Sequence, residues 1–147
     1  MHVTARADYA VRAVVQLAAD PDGSATRHEL AETQQIPGKF LEGILTDLRR
    51  AGLLLAQRGS RGGYQLALPA SAIALADIIR AVEGPLAAVR GEPPEDTSYP
   101  AAAAALTEVW VALRASLRQV LEVTTVADVV AGELPGPPVA VPLQLDH

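Results

Sequence analysis

The chain has 147 residues, half of them apolar and only 3% aromatic, which excludes a disordered chain and favours packed helices with a core of alanine, leucine and valine. The formal net charge is -5 at pH 7. There is no cysteine, which excludes disulfides, cysteine nucleophiles and thiolate-held metal or iron–sulfur sites.

The negative charge is concentrated in the second half of the chain. Residues 1–68 carry eight basic against seven acidic side chains, whereas residues 69–147 carry four against ten. An acidic partner is therefore expected to meet the first half. The three histidines are far apart in sequence, and no metal site or other cofactor is predicted.

The N-terminal segment is predicted to be a structural helix. Arg6, Asp8 and Arg12 interrupt its apolar residues at helical spacing, which argues against a signal peptide. No apolar run reaches the roughly 18 residues of a membrane span, so a cytoplasmic protein without a membrane partner is expected. Thr4 is the predicted N-cap, and Asp8 and Arg12 are spaced for an ion pair.

Two further helices follow in a helix-turn-helix arrangement. Thr26 and Glu29 have the spacing of a capping box, Pro37 suits the first turn of the next helix, and Gly52 suits the position beyond its end. The predicted buried face of this second helix comprises Phe40, Leu41, Ile44, Leu45 and Leu48.

A β-hairpin is predicted directly after the helix-turn-helix. The stretch LLLAQ is typical of a short strand, RGSRGG of a tight turn, and YQLAL of a returning strand. The predicted fold is therefore mostly α: a winged helix-turn-helix domain with a two-stranded wing.

The second half is predicted to extend this domain. The pattern of LADIIRAVEGP predicts a helix. A long helix is predicted from about Ala101 to Glu122, and TTVADVVAG is predicted to form a short capped helix. The predicted organisation is the winged domain over 1–83, a flexible loop over 84–100, the dimerisation helix with a short helix over 101–131, and a disordered tail over 132–147.

The wing and the second helix of the motif suggest DNA binding. The glycines let the tip approach another surface, and Arg58 and Arg61 would project from it into the narrow, negative minor groove. Lys39 could meet phosphate or guanine in the major groove, and Glu42 a cytosine amino group.

Other roles are open for several of these side chains. Arg49 and Arg50 either contact phosphate or complement the C-terminal dipole of their helix. Glu42 either reads a base or pairs with a nearby cation. Phe40 suits the core better than a base contact.

The long helix carries a wide apolar stripe that either packs on its own domain or pairs with a second copy. Because the winged unit already has its own apolar set, a homodimer is expected, presenting two wings to a nearly palindromic site. The predicted dimer-interface residues are Leu106, Val109, Trp110, Leu113, Leu117, Val120 and Leu121.

The sequence resembles the Rrf-two (Rrf2) family of bacterial winged-helix regulators up to about Gly132. The resemblance rests on four motifs in order: ADYAVRAVVQLA, LAETQQIPGKFLEGILTDLRRAGLL, RGSRGGYQLA and IALADIIRAVEGPLAAV. It implies that Lys39, Phe40, Glu42 and Arg58 match DNA-contacting positions, which strengthens that interpretation of Phe40 and Glu42.

The resemblance is to the branch of the family without a cluster. Cluster-binding members carry three cysteines before the long helix, where this chain has RGEPPEDTSYPAAAAA. The cluster-free branch includes the cysteine-metabolism repressor, so a link to cysteine or sulfur metabolism is implied. Regulation through an enzyme of cysteine synthesis, or through a small-molecule effector, is then expected.

The sequence thus predicts a dimeric, sequence-specific DNA-binding transcriptional regulator that acts as a repressor. The competing hypothesis is a partner-binding module that kept the winged-helix fold and lost tight DNA binding. No catalytic arrangement is evident, and RGSRGG does not lead into a helix as a dinucleotide fingerprint would, so an enzyme is not expected.

Overall fold

The structure is a computed structural model that describes residues 1–59 and 62–134. Within them the helices are α1 (Ala5–Ala19), α2 (Arg27–Gln34), α3 (Gly38–Arg50), α4 (Leu75–Glu83), α5 (Leu106–Leu121) and α6 (Val126–Ala131), and the strands are β1 (Ser24–Ala25), β2 (Leu54–Gln57) and β3 (Gly63–Leu66). The predicted mostly α winged helix is confirmed. No described helix is long and apolar enough to cross a membrane. The predicted tail beyond residue 134 lies outside the described residues.

The ends of the first three helices follow the predicted capping residues. The Thr4 hydroxyl accepts a hydrogen bond from the Ala7 amide at 3.1 Å, and the Thr26 hydroxyl accepts one from the Glu29 amide at 3.1 Å. Pro37 is the N-cap of α3 and lies one position before the predicted first turn. Gly52 follows the end of α3 at φ +78°, in the left-handed region that favours glycine.

The core lies between α1, α2, α3, α4 and α6. Its large, fully buried side chains include Leu17, Leu30, Leu41, Ile44, Leu45, Leu48, Ile73 and Ile78, and each contributes about 1.5–3 kcal/mol by leaving water. Phe40, predicted on the buried face of α3, is instead 37% exposed. It occupies the first turn of α3, at the outer edge of that face, so its ring reaches past the core.

The wing belongs to a three-stranded antiparallel sheet with strand order β1-β3-β2. The predicted two-stranded hairpin is correct for β2 and β3, where Ala56 faces Tyr64. The sequence missed β1, in which Ala25 pairs with Tyr64. Two residues are too few to show a period-two pattern, so only the neighbouring strand reveals them as a strand.

Gly63 is required by the close approach of β1 to β3. A Cβ atom at this position would lie 2.7 Å from the Ala25 carbonyl oxygen, closer than real Cβ atoms come to other atoms. The contact is with backbone, which cannot rotate away. Gly63 therefore allows β1 and β3 to pack closely.

We expect Gly63→Ala to lower the free energy of unfolding by about 1–3 kcal/mol, because β1 must shift to admit the methyl group. The matched control is Gly38→Ala at the start of α3, where a Cβ would meet no atom within 4 Å. That control should be neutral or stabilising by up to about 1 kcal/mol. Urea denaturation of both variants measures the difference, and equal stabilities would contradict the packing role.

The short helix α6 packs against the winged domain. The Val126 amide donates to the Ile73 carbonyl at 2.9 Å, and the Leu75 amide donates to the Thr124 carbonyl at 3.0 Å. Val126 is fully buried in the same core as Val14 of α1. The sequence analysis assigned α6, together with the long helix, to residues 101–131. In the structure the chain turns back after α5, and α6 packs into the core of the winged domain.

The segment before α5 is held by specific hydrogen bonds. The Thr97 hydroxyl donates to the Pro94 carbonyl at 2.7 Å, the Thr107 hydroxyl donates to the Thr97 carbonyl at 2.9 Å, and the Trp110 indole donates to the Tyr99 hydroxyl at 2.9 Å. The predicted start of the long helix at about Ala101 was early: α5 begins at Leu106, and a 3₁₀ turn occupies Ala101–Ala103. Ala101 itself has φ +50°, which does not continue a right-handed helix.

Candidate nucleic-acid interface

Arg58 lies at the tip of the wing, directly after the last residue of β2, and its side chain is exposed. Gly59, which follows it, has φ +120°, a conformation that L side chains rarely adopt. The Gly62 amide donates to the Gly59 carbonyl at 2.9 Å and closes the turn. Arg61, the second arginine predicted to contact DNA from this tip, lies outside the described residues. Arg58 is thus exposed at the end of β2, directly before a glycine whose conformation other residues rarely adopt.

The first turn of α3 presents Lys39 and Phe40 to solvent. The Lys39 Nζ lies 5.2 Å from the centroid of the Phe40 ring, and that ring lies 5.6 Å from the ring of Tyr9 on α1. Tyr9 therefore packs against one side of Phe40, which remains 37% exposed. A cation beside an exposed aromatic ring can meet both phosphate and the apolar edge of a base.

Glu42, one turn further along α3, pairs with Arg27, the first residue of α2. The Arg27 Nη1 lies 3.3 Å from the Glu42 Oε2, and the two side chains are 53% and 75% exposed. The alternative in which Glu42 pairs with a nearby cation is thus realised in this structure. The sequence did not single out Arg27. Arg27 lies 15 positions before Glu42, so no local pattern predicts the pair. The packing of α2 against α3 brings the two side chains together.

Arg49 and Arg50 occupy the last turn of α3 and are exposed. They lie about 16 Å along the helix from Lys39, at a rise of about 1.5 Å per residue. A cavity of about 530 Å³ beside them is lined also by Leu54 and Leu55 of β2. Their place fits both the helix dipole and a phosphate contact, so both roles suggested by the sequence fit the geometry.

Two other arginines of the first half are engaged inside the domain. Arg6 pairs with Asp47 of α3, and its Nε donates to the Val82 carbonyl at 3.3 Å. Arg12 makes the predicted pair with Asp8 at 3.1 Å and donates to the Gln34 carbonyl at 2.9 Å. Exposed cations of this half of the chain therefore include Lys39, Arg49 and Arg50 of α3 and Arg58 of the wing, which an acidic partner can meet.

The apolar stripe of α5 is only partly covered by its own chain. Val109 and Val120 are each 51% exposed. The other predicted interface residues are half-buried: Leu106, Trp110, Leu113, Leu117 and Leu121. A groove of about 530 Å³, lined in part by Met1, Leu86 and Trp110, runs beside the stripe. No residue of α5 is buried. A helix with such an apolar stripe normally buries that stripe, so the stripe is available to a partner surface.

Residues 3–132 match the family described as Rrf2, iron-dependent transcriptional regulator. Rv1287 of Mycobacterium tuberculosis, whose name describes an HTH-type transcriptional regulator, is 50% identical over 136 residues, which cover 92% of this chain and 84% of the relative. CymR of B. subtilis, titled the global cysteine regulator, superposes with a TM-score of 0.74 at 31% identity, covering 90% of this chain and 98% of CymR. The structure titled T. potens IscR gives a TM-score of 0.73 at 30% identity, covering 90% and 88%.

The iron in the family's description cannot be held by cysteine thiolates in this chain. The chain has no cysteine, and the described residues hold no group of three or more histidine, aspartate and glutamate side chains placed to bind a metal ion. The segment before α5 offers Glu92, Glu95 and Asp96 in place of thiolates. These residues do not fit a thiolate-held iron–sulfur cluster.

Proposed function

This chain belongs to the Rrf2 family and is a DNA-binding transcriptional regulator; from that premise we propose that it is a dimeric repressor acting in the cytoplasm without a thiolate-held cluster. The observation that carries the proposal is the exposed arginine on the glycine-built wing tip, beside a recognition helix whose first turn exposes a lysine and an aromatic ring. Repression would follow from occlusion of a promoter by the bound dimer.

The α3 helix would enter the major groove by its N-terminal end. There Lys39 would meet phosphate or guanine, Phe40 would contact the apolar edge of a base, and Glu42 would accept from a cytosine amino group. The wing would place Arg58 in the minor groove, with Arg61 of the same turn as a second cation. Arg49 and Arg50, at the far end of α3, would contact phosphate of the flanking backbone.

Arg27 would reduce the electrostatic repulsion between the Glu42 carboxylate and the phosphates of DNA. An isolated carboxylate at the recognition helix is repelled by the phosphates, and a guanidinium 3.3 Å away offsets that repulsion. On correct DNA, Arg27 can turn to a phosphate while Glu42 binds a base. Arg27 would thus be a positioning residue of the interface.

Dimerisation would use the α5 stripe. A second copy would cover Val109 and Val120, which are left half exposed by the single chain, together with the adjoining groove. The twofold axis of such a dimer would set the spacing of the two recognition helices on a nearly palindromic operator.

The regulatory signal would act by changing that spacing. Both recognition helices must fit their half-sites at once, so a small displacement of α5 costs binding energy at both. The similarity to CymR, titled the global cysteine regulator, supports a link to cysteine metabolism. An enzyme of cysteine synthesis is accordingly one proposed partner, and a small-molecule effector is the other.

The test is binding of the purified, metal-free protein to DNA from its own upstream region across a salt series. We expect nanomolar affinity that falls steeply between 50 and 200 mM salt, by at least about 100-fold, because several phosphates are neutralised. A scrambled fragment of equal length is the control. Equal affinity for both fragments, or binding insensitive to salt, would contradict the proposed operator recognition.

A further inference from the structure

A small cavity lies where α4, the segment before α5 and α5 itself meet. Its volume is about 210 Å³, equal to about seven water volumes at roughly 30 Å³ each. Apolar lining comes from the stretch around Pro85 and Leu86. The charged lining consists of three guanidinium groups and two carboxylates: Arg80, Arg114, Arg118, Glu92 and Glu95.

Two of these arginines are engaged by carboxylates. Arg80 of α4 pairs with Glu122 just beyond α5, and Arg114 of α5 pairs with Glu95 of the preceding segment. The pKa of Glu95 is lowered, first by a backbone hydrogen bond and then by Arg114 and Arg118, and the pKa of Glu122 is lowered by its hydrogen bond with Arg80. Both carboxylates therefore keep their charge to a lower pH than an ordinary carboxyl group, which favours the two ion pairs at neutral pH.

Arg118 differs from the other two. Its Nε lies 3.8 Å from the Glu122 Oε1, which is too long for a hydrogen bond, and Glu122 already accepts from Arg80. The side chain of Arg118 is 47% exposed, whereas that of Arg114 is 18% exposed. Arg118 thus makes no hydrogen bond to Glu122, and its donors are available to the cavity, while its charge still attracts Glu122 and Glu95 through space.

We propose that this cavity binds a small organic anion through a carboxylate group, with Arg118 as the principal cation and Arg114 as the second. A guanidinium offers two parallel N–H groups that match a carboxylate, and such charge-assisted pairs are stronger than neutral hydrogen bonds. The apolar stretch around Leu86 would cover the carbon skeleton of the ligand. A volume of about 210 Å³ limits that skeleton to a few carbon atoms.

Occupancy of the cavity would loosen the ties between α5 and the rest of the chain. A ligand carboxylate on Arg114 competes with Glu95, and one on Arg118 draws positive charge away from Glu122, the residue that ties the end of α5 to Arg80 of α4. This effect on DNA binding rests on the proposed function, because it requires α5 to set the spacing of the recognition helices. The binding step itself does not.

The test uses the full chain labelled with nitrogen-15, titrated with sodium succinate against sodium chloride at matched ionic strength. We expect saturable shifts of the arginine side-chain signals at Arg114 and Arg118, with half-saturation at millimolar concentration or below. Arg118→Gln should weaken this binding at least tenfold. Arg90→Gln removes an exposed arginine of the same segment that does not line the cavity, and it should bind as the parent does.

Linear shifts without saturation, or equal binding by the Arg118→Gln variant, would overturn the site and leave these arginines as structural ion pairs. Operator affinity is then measured with and without succinate. We expect it to fall at least threefold with succinate in the parent and to stay constant in Arg118→Gln. Saturable binding with unchanged operator affinity would overturn the regulatory role alone. Failure of the protein to bind any operator would contradict the proposed function, while the titration still decides the anion site.

Discussion

Substituting Val109→Glu and Val120→Glu together is expected to convert dimers into monomers and to weaken operator binding at least 100-fold. Both valines are half exposed in the single chain, so the substitutions cost a folded monomer little. In a dimer they would be desolvated against the partner, where an unpaired carboxylate costs several kcal/mol. A monomer also loses the second half-site, and linked binding of two sites is typically worth a factor of about 10²–10⁴.

The matched control is Ala115→Glu with Gln119→Glu. These residues are exposed on the side of α5 away from the stripe, and the control adds the same two negative charges. Sedimentation at micromolar concentration measures the oligomeric state of both variants, and fluorescence anisotropy measures the operator affinity. If the Val109/Val120 variant remains dimeric at that concentration, α5 is not the interface.

Replacing Arg58 by alanine is expected to weaken specific operator binding by about 1–3 kcal/mol and to leave the dimer and the fold intact. The side chain is exposed at the tip of the wing, next to a glycine at φ +120°, so nothing in the core depends on it. The loss arises because a guanidinium leaves the narrow, negative minor groove, where the potential is strongest.

The control for the wing is Arg58→Lys, which keeps the positive charge but loses the planar guanidinium group and its paired N–H donors. We expect the lysine variant to regain the affinity that comes from attraction between its positive charge and the phosphates. We also expect it to discriminate less than the parent between operators that differ in minor-groove width. Anisotropy titrations on two such operators make the comparison. An affinity of the alanine variant equal to that of the parent would remove the wing from the interface.

Local signals were sufficient for most of the elements. Thr4 and Thr26 mark helix starts because a hydroxyl at the N-cap satisfies an amide that the helix leaves open, and both do so in the structure. Gly52 marks the end of α3 because the chain there takes a positive φ. These rules act within four or five residues, so they can be read before any tertiary contact is known.

The candidate interface was predictable where it depends on exposure and local charge. Arg58 follows a strand and precedes glycine, and that pattern alone placed it at a tip. Phe40 shows the limit of the approach. Periodicity assigned it to the buried face, whereas the edge of α3 and the ring of Tyr9 leave it 37% exposed. The pairing of Arg27 with Glu42 could not be read from the sequence either, because it joins two helices whose relative placement is set by the core.

The amino-acid sequence by itself determined the helices, the wing, the turn that carries Arg58 and the absence of thiolate ligands, because each of these depends on residue type and near-neighbour spacing. Only the tertiary structure decided that β1 joins the wing sheet, that Gly63 must lack a side chain, that α6 closes the core of the winged domain, and that three arginines from α4 and α5 line one cavity. Those features join residues distant along the chain. Their positions follow from how the whole core packs, which no local pattern encodes.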